Sequence, residues 1–178
     1  RKLKKMNEEK KVTAEENLLS SVFKRFTTDT AFKAALKKAD NPDTEYQSWE
    51  YLADYGVNLE YENARLPYTT VFSAAARSSR NADGSVPLGR ALLLSYESDS
   101  ENTAARSKLR RIIACDSIED VCSVLRPVLR FIGSKDIAVS YATLLRDLKY
   151  FSKDSERTKA RWAEQFFGKT ESTEEDNG

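Results

Sequence analysis

The apolar residues of this chain recur at intervals of three and four almost from end to end, and scarcely anywhere at two. Spacing of that kind gathers side chains on one face of an α-helix, whereas alternation would mark a strand. Glycine and proline, which punctuate helices, number only six and four in 178 residues, so few interruptions are available. The pattern predicts an all-α protein, either a compact helical bundle or two small helical halves joined near residues 78–87.

Local signals divide this pattern into helices. Thr13 and Glu16 have the spacing of a capping box, which opens a helix whose stripe is Leu18, Leu19, Val22, Phe23 and Phe26. A short helix follows Asp29, buries Phe32, Ala35 and Leu36, and closes on Lys37 and Lys38, whose charges suit the negative end of the helix dipole. A third is predicted over 44–55, with Trp49, Leu52 and Ala53 inward and Gly56 just past its end. The fourth covers 62–77, with Pro67 in its first turns or breaking it there. Residues 78–87, SSRNADGSVP, are polar and read as an exposed, mobile loop. After the apolar run 88–96 comes a helix set by Leu109, Ile112 and Ile113. The next begins at Asp116, with Glu119 as box partner, and Pro127 predicts a kink in it. Asp136 is the predicted cap of a helix through Val139, Leu144, Leu145 and Leu148, and a last helix over 155–167 buries Trp162 and Phe166. The helical domain thus spans 13–168, between a basic N-terminus, 1–12, and an acidic tail, 169–178, both predicted to be disordered.

Charge and side-chain chemistry narrow the function. The 29 basic and 28 acidic residues leave a formal charge of +1, whereas nucleic-acid-binding domains are usually strongly basic. Glu171, Glu174, Glu175 and Asp176 all fall in the tail, however, so the helical body is more positive than the sum. There is no histidine, and Cys115 and Cys122 lack zinc-site spacing, so the commonest general base and the commonest metal ligand are missing. Nor is there a glycine-rich phosphate loop or a strand-turn-helix to present a nucleophile. No apolar run is long enough to cross a bilayer, and no apolar segment follows the basic start as a secretion signal requires. These features predict a cytoplasmic binding protein without catalytic activity, cofactor, metal or membrane partner.

Basic residues concentrate in the second half. Around Leu109 the apolar face leaves Lys108 and Arg111 pointing away, with Arg106 and Arg110 on the flank, a ridge able to meet phosphates without reading bases. The same charges would also serve as an ordinary solvated helix face. The aromatic residues lie on apolar stripes, which places them in the core and not on a stacking platform. A helical adaptor that bridges proteins without touching nucleic acid is the alternative reading.

The segments AALKKAD, the helix around Trp49, SVPLGRALLL, ARSKLRRIIACD, SVLRPVLRFI and RWAEQFF follow one another in this order. In that order the chain resembles the CasB family, the small subunits of the type I-E CRISPR surveillance complex Cascade. The resemblance implies an all-helical, non-catalytic antiviral-defence subunit, present as a pair in each complex. Its partners would be the other Cascade subunits, crRNA and target DNA. It would hold single-stranded or duplex DNA non-specifically and stabilise the R-loop and its displaced strand. The resemblance implies contacts at Lys37 and Lys38, the family's basic pair, at Arg90 of the L-G-R-A-L start, at Lys108, at Arg126 of the L-R pair, and at Arg157 before the terminal helix. Pro127 stands where the family commonly has a second base, and Ala114 and Ser117 are neutral where it can be basic. Arg110, Arg111 and Arg130 lie near enough in sequence to supply that charge.

Overall fold

Thr13 opens the first helix through the capping box that its spacing predicts. Its hydroxyl accepts from the Glu16 N–H at 3.1 Å, and the Glu16 carboxylate accepts from the Thr13 N–H at 2.9 Å. The computed structural model describes residues 10–169, so the segments predicted to be disordered lie outside it except for residues 10–12 and 169. Among the described residues the helices are α1 (Ala14–Phe26), α2 (Thr30–Lys37), α3 (Trp49–Asp54), α4 (Glu62–Arg77), α5 (Leu88–Ser95), α6 (Thr103–Ile113), α7 (Ile118–Gly133), α8 (Tyr141–Tyr150) and α9 (Ser155–Phe167). A 3₁₀ turn, Glu45–Ser48, precedes α3. The only β pairing among them is a single parallel bridge between Val86 and Val139.

Several local expectations are corrected. The helix predicted over 44–55 splits into the 3₁₀ turn and α3, because the Ser48 hydroxyl bonds back to the Glu45 carbonyl at 2.7 Å and tightens the winding there. Leu52 is buried and Trp49 partly so, but Ala53 faces solvent. Gly56 does adopt the left-handed conformation past the end of α3, with φ of 72°. Ser117, not Asp116, caps α7: its extended backbone aims the hydroxyl at the Asp120 N–H, while Asp116 pairs with Lys159 at 3.0 Å. Ser140, not Asp136, caps α8, since the residues between them are taken up in pairing with the segment before α5. Asp136 sits at φ of 54° and accepts from the Ser79 hydroxyl. Phe167 is half-exposed, whereas Trp162 and Phe166 are fully buried. Both α4 and α7 continue through their prolines.

Residues 78–87 are not a free loop. The Asp83 carboxylate accepts from the N–H groups of Tyr141 and Ala142, 2.7 and 3.1 Å away, at the start of α8. Gly84 and Val86 donate backbone bonds to Val139 and Ala138, and Ser140 returns one to Val86. A Cβ on Gly84 would lie 2.0 Å from the Ala138 carbonyl oxygen, so only glycine fits this approach. Residues 83–86 are thus tied to the start of α8, while 79–82 and 85 are exposed as predicted.

The core is built around α4, which packs on α2, α7 and α8. Thr69, Thr70, Ser73, Ala75 and Ala76 are buried there beside Val71 and Phe72, and such small residues let neighbouring helices come close. The hydroxyls of Thr69 and Ser73 donate to carbonyls of their own helix, which keeps their burial inexpensive. α5 and α9 form a second close pair: a Cβ on Gly89 would lie 2.0 Å from the Trp162 carbonyl oxygen. Trp162 donates its indole N–H to Asp147 at 2.9 Å, tying α9 to α8. Among the described residues the buried apolar side chains form one connected cluster.

Candidate nucleic-acid interface

Three helices end beside one another on a single face. Lys37 closes α2, Arg77 closes α4, and Arg130 stands in the last turn of α7. Between them lies a groove of about 410 Å³, lined also by Asp40, Arg126 and Ser134. Helix C-termini each carry about half a negative charge, so bases are the expected neighbours. The decisive matter is how much positive charge they leave over.

Some of it is consumed structurally. Arg77 donates to the Lys37 carbonyl at 2.6 Å, capping α2, and also to Asp40 at 3.3 Å. Arg130 grips Asp40 with two donors, its Nε at 2.9 Å and one terminal nitrogen. Arg126 has no such duty: its Nε is buried without a hydrogen-bond partner. The Lys37 side chain is exposed. Four bases therefore face one carboxylate and three helix ends, a surplus of roughly one to two positive charges. Arg126 has no ion pair among the described residues, so its charge stays available to an anion entering the groove.

The sequence-predicted residues distribute over this face and beyond it. Lys37, Arg126 and Arg130 meet in the groove, while Lys38 lies just outside it and donates to Gln47 at 3.1 Å. Lys108 occupies a small cleft with Tyr96, Pro127 and Phe131, next along α7 from the groove. Arg110 and Arg111 are exposed on α6 with no ion pair among the described residues, whereas Lys108, expected to point away from the apolar face, is partly buried in that cleft. Arg106 leaves the ridge, since it is bonded to Glu101 at 2.7 Å and to the Ser100 carbonyl. Arg90 is turned to the Gly168 carbonyl at 3.0 Å. Arg157 lies elsewhere, in a groove between α8 and α9 with Arg146 and Arg161, and pairs with Asp154 at 3.5 Å. Sequence reasoning missed Arg77 and Asp40. Arg77 could have been found as a last-turn base, but nothing local links Asp40 to Arg130, which is 90 positions away.

Other chemistry is scarce. Burial pushes the Cys122 thiol up to about 11 and raises that of Cys115, so neither is activated as a nucleophile. Among the described residues no histidine, cysteine or carboxylate cluster of metal-site size occurs, and no helix is long and apolar enough to cross a membrane.

No curated protein and no solved structure matches the chain. A family model described as CRISPR-associated protein Cse2 matches residues 33–167, from early in α2 to the end of α9. That span contains the groove, the α6 ridge and nearly the whole helical core, and it agrees with the order of motifs read from the sequence; the chain belongs to the Cse2 family, the CasB small subunits of type I-E Cascade.

Proposed function

We propose that this Cascade subunit holds nucleic-acid backbones without reading sequence, and so stabilises the R-loop and its displaced strand in the crRNA-guided complex. The observation that carries this reading is Arg126, a base that lines a groove of surplus positive charge and has no ion pair among the described residues. Lys37 and Arg130 share the groove with it. Lys38 at the end of α2 and Lys108, Arg110 and Arg111 on α6 would add to the positive surface, with Arg90 and Arg157 as further candidate contacts.

Physical reasoning supports modest charge in such a role. Base pairing reads the target, and exchanging duplex for heteroduplex is nearly balanced in energy, so a few phosphate contacts suffice to tip it. The other subunits hold this one at high effective concentration, which makes strong intrinsic affinity unnecessary. A pair of copies in each cytoplasmic complex, lying against crRNA and target DNA, would double the contacts without any catalytic step.

The test is the lifetime of the R-loop in the assembled complex. Replacing Lys37 and Arg126 together by alanine is expected to shorten it about tenfold or more, from two lost charge-assisted contacts. An unchanged lifetime with normal assembly would reject the nucleic-acid reading and leave the subunit as a protein-bridging adaptor.

A further inference from the structure

Within the groove the one acidic side chain is also the most buried of the charged ones. Asp40 is 3% exposed, and both its oxygens are taken: Oδ2 by Arg130 Nε and a terminal nitrogen, Oδ1 by Arg77. The two arginines remain 40% and 53% exposed; Arg130, held through Nε and one terminal nitrogen, keeps the other terminal nitrogen free, and Arg77, held through one terminal nitrogen, keeps Nε and the other. Arg126 stands one turn before Arg130 on α7, with Arg77 facing from α4. A carboxylate in an anion-binding groove should weaken binding by simple charge repulsion. Its geometry suggests the contrary, because a guanidinium held by one edge presents its other edge in a fixed direction, and a phosphate is recognised by such forks.

We propose that Asp40 is a positioning residue, which fixes Arg77 and Arg130 so that the groove recognises a phosphodiester by donor geometry and not by net charge. This rests on the groove being the nucleic-acid contact. The two views differ in sign. Removing one negative charge should tighten binding if charge alone acts, and should loosen it if positioning acts.

The experiment measures affinity of the full chain for single-stranded DNA of fixed length, alongside its thermal midpoint, for Asp40→Asn, Arg130→Lys and Arg126→Ala. Positioning predicts that Asp40→Asn binds about three- to tenfold more weakly despite the added positive charge. The NMR signal of the Arg130 Nε–H should lose its distinct shift in that variant while core methyl signals stay in place. Arg130→Lys keeps the charge but lacks the fork, and is expected to weaken binding similarly; it decides the matter alone if Asp40→Asn proves unfolded. Binding by Asp40→Asn that equals or exceeds the parent overturns the inference, as does full affinity in Arg130→Lys. Should Arg126→Ala also bind normally, the groove itself is not the contact; should only Arg126→Ala weaken, the groove stands and the role of Asp40 falls.

Discussion

Asp83 shows how a single side chain can hold an element and set a pH response. Burial raises its carboxyl above the ordinary value of 3.8, outweighing the N–H donors of Tyr141, Ala142 and Gly84, which act to lower it. A carboxyl raised on folding binds its proton more tightly in the native state. The stability it contributes is therefore fully present below 3.8 and is lost as pH rises through the raised folded value. Asparagine cannot titrate, so the stability of the natural chain relative to Asp83→Asn should decline between about pH 3 and about pH 7. Denaturant midpoints of both proteins at the two pH values check this, and a constant difference would contradict it. At this scale the sequence was only half legible. Lys37, Arg126 and Arg130 could be picked out as bases, but the partners of Arg130 and Tyr141 could not, because Asp40 and Asp83 lie 90 and 58 positions from them.

Helices were the most legible level, since their signals are local: a capping box at Thr13, a last-turn base on α2, and a glycine past α3. Errors arose where several polar residues competed for one role. Asp116 and Ser117 both suit a cap, and the one whose backbone is extended takes it. The segment 78–87 read as free because polarity and glycine resemble a loop, yet Gly84 is there to permit contact with Ala138. Gly89 plays a like part between α5 and α9, lying against the Trp162 carbonyl and the Gln165 side chain. Gly89→Ala should force these helices apart and cost about 1–3 kcal/mol, the usual range for overpacking. A thermal midpoint equal to that of the parent would show that the pair yields without strain.

For the molecule as a whole, binding should follow the number of phosphates it neutralises. The logarithm of affinity is expected to fall linearly with the logarithm of salt concentration, by about 0.9 for each duplex phosphate contacted. Arg126→Ala should reduce that slope by about one contact, uniformly across DNA sequences. A slope unchanged in the variant would assign the contact to other bases, with the α6 ridge of Arg110 and Arg111 the first to examine. The all-α class was legible because the apolar period runs through the whole chain; the meeting of α2, α4 and α7 was not, because helix periodicity tells which face is buried but not against what.

The central α4 is covered by α2, α7 and α8, while α5 awaits α9. Trp162 and Phe166, both wholly buried, come from the last helix. On a growing chain the α4 centre can therefore close once α8 has emerged, whereas the α5 side must wait for α9. Until then the faces of α5 and α6 that α9 covers stay open to water.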